Sequence, residues 1–100
     1  MKRTYAEEWR FRISVLRVGK SNEPQRCRLG FEVGDVFECC YETPGDFCPK
    51  SMLKVFPVME AVRSGGDLRN LGGDAPCEMT LTCPDGEVAF RVVGTRGVGT

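Results

Sequence analysis

The chain has 100 residues, which fits a single domain, and its 41% apolar content suits a packed core rather than disorder. Fourteen basic residues balance fourteen acidic ones, so no global field draws the molecule toward nucleic acid or anionic lipid. There is no histidine, which excludes Ser-His-Asp and Cys-His catalysis and removes the commonest nitrogen ligand for a metal.

The start, Met1-Lys2-Arg3, is followed by Glu7 and Glu8 and by no apolar stretch of signal-peptide type. No apolar run approaches the ~18 residues of a spanning helix, so the expected location is cytoplasmic and membrane partners are not expected. In that compartment six cysteines read as thiols, metal ligands or redox groups rather than a disulfide framework.

Trp9 to Val18 alternates as a half-buried strand, with Trp9, Phe11, Ile13 and Val15 on one face and Arg10, Arg12 and Ser14 on the other. Gly19 to Arg28 reads as a loop. Gly34-Asp35 turns the chain into a second strand, Val36 to Glu42, with Phe37, Cys39 and Tyr41 facing one way. Basic side chains crowd residues 1 to 28, whereas residues 29 to 49 carry Glu32, Asp35, Glu38, Glu42 and Asp46 and no base. Pairing of basic and acidic strands across the sheet accounts for this without a nucleic-acid surface, because the aromatics needed for base stacking read as core.

After the turn Thr43-Pro44-Gly45-Asp46, residues Pro49 to Ser64 carry an apolar stripe at near-helical spacing: Met52, Leu53, Val55, Phe56, Met59 and Val62. Pro57 predicts a kink or a split into two short helices, and Gly65-Gly66 a stop. Residues 67 to 76 read as a second loop. Glu78 to Cys83, the turn Pro84-Asp85-Gly86-Glu87 and Val88 to Val93 read as a hairpin. The expected fold is therefore α+β: an antiparallel sheet of about four strands in the order β-β-α-β-β, with one kinked or split helix on one face. Residues 1–93 form the domain and 94–100 a flexible tail.

Chemistry concentrates on cysteine. With Pro49 at the first helical position, Cys48 is the N-cap, its thiol facing unpaired N–H groups and the positive end of the helix dipole. Both favour the thiolate, as does Lys50, although a thiol at such a junction also serves simply as packing. Arg26 and Arg28 would act likewise on Cys27. Cys83 ends a core-facing strand, Cys39 reads as core, and Cys40 lies beside Glu38 and Glu42, which disfavour its ionisation. Cys77 has no assigned place. No C-x-x-C pair and no P-loop is present. Asp46 and Asp85 sit in turns, where aspartate commonly bonds its own backbone.

The run Pro44-Gly45-Asp46-Phe47-Cys48-Pro49, then Pro57, Gly65-Gly66 and Cys83-Pro84-Asp85-Gly86 with Val88-Ala89-Phe90, resembles a short, uncharacterised cysteine-containing family. Its members are single domains of similar length, frequent in anaerobic bacteria and archaea, and Gly34-Asp35-Val36-Phe37 also fits it. The chain departs from the family at Arg28 and at Asp67-Leu68. The resemblance implies that Cys27, Cys48 and Cys83 are the cysteines that matter, and its anaerobe bias is similar to that of oxygen-sensitive thiol or iron–sulfur chemistry.

The leading expectation is a small cytoplasmic cysteine-based accessory protein. It binds zinc or an iron–sulfur cluster through Cys27, Cys48 and Cys83, or acts through a helix-N-terminal thiolate. The alternative is a non-enzymatic protein-binding or dimerisation module with structural cysteines, whose exposed edge would be the first strand. Whether the chain is an enzyme is left open.

Overall fold

The alternation at Trp9–Val18 becomes the central strand of the molecule. In the computed structural model, which describes residues 7–19, 27 and 29–97, this strand, β1 (Trp9–Val18), is followed by β2 (Val36–Cys39) and by α1 (Pro49–Arg63). A 3-10 turn (Leu68–Leu71), β3 (Glu78–Thr82) and β4 (Val88–Arg96) complete the chain. The strands form one antiparallel sheet in the spatial order β2-β1-β4-β3, and α1 packs on it, so the α+β expectation is met.

Phe11, Ile13 and Val15 of β1 and Val88, Phe90 and Val92 of β4 lie on the buried face. Their period of two places them beneath α1, which contributes Met52, Val55, Val58, Met59 and Val62. Leu53, read from the sequence as part of the apolar stripe, is instead 74% exposed, and Phe56 lies at the surface beside Tyr41 with rings 6.2 Å apart. Val58 fills the buried position in their stead.

Pro57 does not split the helix, which runs unbroken for 15 residues. The hydrogen bond a proline removes is the one to the carbonyl four residues earlier, that of Leu53. Leu53 and Pro57 are both exposed, so the lost bond lies on the solvent side of the helix. Gly65, at φ +84°, ends the helix as expected, its N–H bonding the Val62 carbonyl at 3.0 Å.

Further boundaries differ from expectation. β2 stops at Cys39, and Tyr41 is exposed. The loop at 67 to 76 is not all irregular, because the 3-10 turn buries Leu68 completely. β4 continues through Gly94, Thr95 and Arg96, pairing with Phe11, Arg10 and Trp9, so the sheet takes in three residues read as tail. Gly94 suits that position by having no side chain. A Cβ there would stand 3.0 Å from Cε1 of Phe11 and 3.3 Å from Cγ1 of Val62.

The first strand is also not an edge. β2 covers one side of β1 and β4 the other, leaving the short β2 and β3 as edges, so the dimerisation reading loses its proposed surface. The expected charge pairing is seen directly: Arg12 faces Glu38 across β1 and β2, with guanidinium and carboxylate 2.9 Å apart.

One buried ion network closes the end of the sheet near the C-terminus of α1. Arg63, its side chain 11% exposed, donates through Nε to Glu7 at 2.9 Å and through NH1 to Glu60 at 2.6 Å. Its NH2 donates to the Cys40 carbonyl, and the guanidinium lies 4.5 Å from the centre of the Tyr41 ring and 5.0 Å from that of Phe11. One side chain thus ties together the helix end, β1 and the segment after β2.

Candidate functional site

At the opposite end of the helix lies a cleft of about 220 Å³. Four pieces of chain meet there: residue 27 with 29–31, the first turn of α1, the β3–β4 turn and the start of β4. Phe31, Pro49, Pro84 and Val88 make its walls apolar. Its volume lies below the 300–1,000 Å³ usual for drug-sized ligands, so it suits a small group or a single side chain.

The cleft brings together the three cysteines singled out from sequence. Cys27, Cys48 and Cys83 all line it. Cys39 does not: it is buried in the core, its sulfur 3.9 Å from that of Met59. Burial first, then the Glu42 charge, pushes the Cys39 thiol up to about 11, which leaves it protonated and inert at neutral pH. Cys77 packs against the core, and its carbonyl accepts from the Gly94 N–H at 2.9 Å. Cys40 lies on the far side of the helix, in the Arg63 network. Arg26 and Arg28, invoked from sequence as activators of Cys27, lie outside the described residues.

Cys48 is placed with care by its neighbours. Phe47, immediately before it, is buried in an aromatic cluster with ring centroids 5.1 Å from Phe37, 5.3 Å from Phe90 and 5.9 Å from Phe31. Pro49 then starts the helix, and the Cys48 carbonyl accepts its first bond, from the Met52 N–H at 3.1 Å. Cys48 is extended (φ −69°, ψ 121°), as an N-cap should be, and half-buried.

The Cys48 side chain makes no capping hydrogen bond of normal geometry to the backbone. On ionisation the balance changes. Burial opposes the charge, but the Ser51 N–H, the Ser51 hydroxyl, the Lys50 N–H and the Lys50 ammonium together outweigh it and bring the Cys48 pKa below that of an ordinary thiol.

Cys83 is differently held. It is 8% exposed, its backbone N–H donates to the Val88 carbonyl at 2.9 Å, and its sulfur accepts from the Val88 N–H at 3.4 Å. The turn that carries it is fastened to the helix start by an ion pair between Lys50 and Asp85, 2.9 Å. Lys50 is two residues after Cys48 and Asp85 two residues after Cys83, so this bridge spans the cleft between the two cysteine-bearing segments.

Sequence reasoning missed Ser51, which is 2% exposed and lines the cleft. The signal was present: a serine three residues after an N-cap cysteine occupies N3, one helical turn on and on the same face. It also missed that Asp85 pairs across the cleft and that Glu87 is buried in its wall.

Although Cys27, Cys48 and Cys83 share a cleft, among the described residues no three cysteine, aspartate or glutamate side chains are grouped closely enough to hold a metal ion. The donors that ring the cleft do not fit a zinc or iron–sulfur site as they stand, because tetrahedral ligation requires the sulfurs to converge on one point about 2.3 Å away. Among the described residues no helix is long and apolar enough to cross a membrane. No protein-family model matches the chain, and no curated protein or solved structure shows significant similarity to it.

Proposed function

We propose that this chain is a small cysteine-based accessory protein of a reducing, cytoplasmic compartment, and that it acts through the Cys48 thiolate. The observation that carries this reading is the position of Cys48. It caps α1 at the rim of an apolar cleft, and Lys50 and Ser51 of the first helical turn favour its charged form. The thiolate is the nucleophilic form of cysteine, so a thiol held this way attacks electrophilic sulfur or carbon at a pH where an ordinary thiol is mostly protonated.

The cleft adds selection. Its apolar walls and small volume admit a thin group, such as a side chain or the end of a small molecule, and shield the adduct once formed. No second catalytic group is required for thiol attack, which suits a chain without histidine.

Limited labelling tests the reading. A sub-stoichiometric amount of iodoacetamide at neutral pH, followed by peptide mass mapping, is expected to place most of the label on Cys48. Label spread evenly over the exposed cysteines, or concentrated on Cys40 or Cys77, would overturn it.

A further inference from the structure

We propose that Cys48 and Cys83 form a dithiol redox pair, in which Cys48 attacks a substrate disulfide and Cys83 resolves the resulting mixed disulfide. The proposal rests on Cys48 as the nucleophile and adds a second residue, a substrate class and a reaction sequence.

Three observations assign the roles. Both cysteines line one cleft, and the segments that carry them are joined across it by the Lys50–Asp85 ion pair, each partner two residues beyond its cysteine. Cys48 is half-buried at the rim, whereas Cys83 is 8% exposed. An incoming disulfide therefore meets Cys48 first, and Cys83 reacts only with what Cys48 has already captured. Cys83 also sits at the head of a tight turn that closes at Gly86, φ +75°, its carbonyl accepting from the Gly86 N–H at 2.9 Å.

The chemistry balances with a disulfide as the oxidant. The Cys48 thiolate attacks one sulfur of R–S–S–R′, forming Cys48–S–S–R and releasing R′–S⁻, which takes up a proton. Cys83 then loses its proton and attacks the Cys48 sulfur, forming the Cys48–Cys83 disulfide and releasing R–S⁻, which is protonated in turn. Overall, two protein thiols become one disulfide and R–S–S–R′ becomes two thiols. The small volume of the cleft favours a slender R group.

Bis(2-hydroxyethyl) disulfide is a suitable probe for the reduced full-length chain, with the products mapped by peptide mass. The wild type is expected to yield an internal Cys48–Cys83 disulfide and to retain no adduct. Cys83→Ser is expected to accumulate a stable hydroxyethyl adduct on Cys48, and Cys83→Ala to behave in the same way should the serine variant fold poorly. Cys48→Ser is expected to react more slowly by about tenfold or more. An adduct that persists on wild-type Cys48, or an internal disulfide that joins Cys48 to Cys27, would overturn the pairing while leaving the Cys48 nucleophile intact. Absence of any reaction at Cys48 would overturn both.

Discussion

Arg63→Ala is expected to destabilise the protein by about 3–5 kcal/mol, the range for breaking a buried ion pair by removing one partner. The loss is large because the Glu7 carboxylate, whose side chain is only 7% exposed, is left without its guanidinium and keeps only the Trp9 N–H. The Cys40 carbonyl loses its donor, and the Tyr41 and Phe11 rings lose the cation above them. A domain of this size has a total stability on the order of 5–15 kcal/mol, so the variant is expected to unfold at much lower urea concentration. A double variant, Arg63→Met with Glu7→Gln, is expected to recover part of the loss, because it removes the stranded charge. Chemical denaturation of the three proteins measures this. A shift in Arg63→Ala below about 1 kcal/mol, the value of a surface pair, would show that the network is solvated.

Phe47→Ala is expected to cost about 3–5 kcal/mol, as for other buried phenylalanines cut to alanine. Phe47 is 4% exposed and touches the rings of Phe31, Phe37 and Phe90, so its removal opens the middle of the aromatic cluster. The expected second effect is local. Phe47 precedes the N-cap, and without its anchor the Cys48 thiol loses its alignment on the first turn of α1. Denaturation reads the first effect, and the alkylation rate of Cys48 under native conditions reads the second, which should fall. Phe47→Leu keeps most of the apolar volume and is expected to soften both.

The strands and helix were legible where the pattern is local. Period-two alternation marks Trp9–Val18 with its observed bounds, and Pro49 with Gly65 brackets α1. What failed depends on partners far away in the chain. The central place of β1 is set by its pairing with β4, from Val18–Val88 to Trp9–Arg96, far along the chain, which nothing in residues 9–18 announces. The same pairing holds Gly94, Thr95 and Arg96, which look like tail when read alone. The exposure of Leu53 and Phe56 follows from which side of α1 the sheet occupies, and a broad apolar stripe does not disclose that. Of the two outcomes expected at Pro57, the split does not occur, because a proline interrupts a helix less where its orphaned carbonyl is on the exposed face.

The site divides in the same way. Cys48 follows from helix-capping rules applied to Cys-Pro at a helix start, whereas Cys27 stood out only for its flanking arginines and Cys83 for its place at a strand end; the fold brings all three to one cleft. Ser51 could have been found from its three-residue spacing. The Lys50–Asp85 bridge could not, because it joins residues 35 apart across two elements. For the metal expectation, the described residues show no grouped set of three donors, and lining one cleft is a weaker condition than converging on one point.

The most direct test of the central claim is the pH dependence of alkylation at each cysteine, followed peptide by peptide in the wild type and in Ser51→Ala. An acid whose folded pKa is depressed ionises at lower pH, so the Cys48 rate should reach its half-maximum at a lower pH than that of an ordinary thiol. Cys39 should react only under strongly alkaline conditions, consistent with a thiol pushed up to about 11. Ser51→Ala should move the Cys48 profile upward while leaving that of Cys40 unchanged, because it removes the hydroxyl that supports the charge. A Cys48 profile at or above that of an ordinary thiol, indifferent to Ser51, would contradict the account.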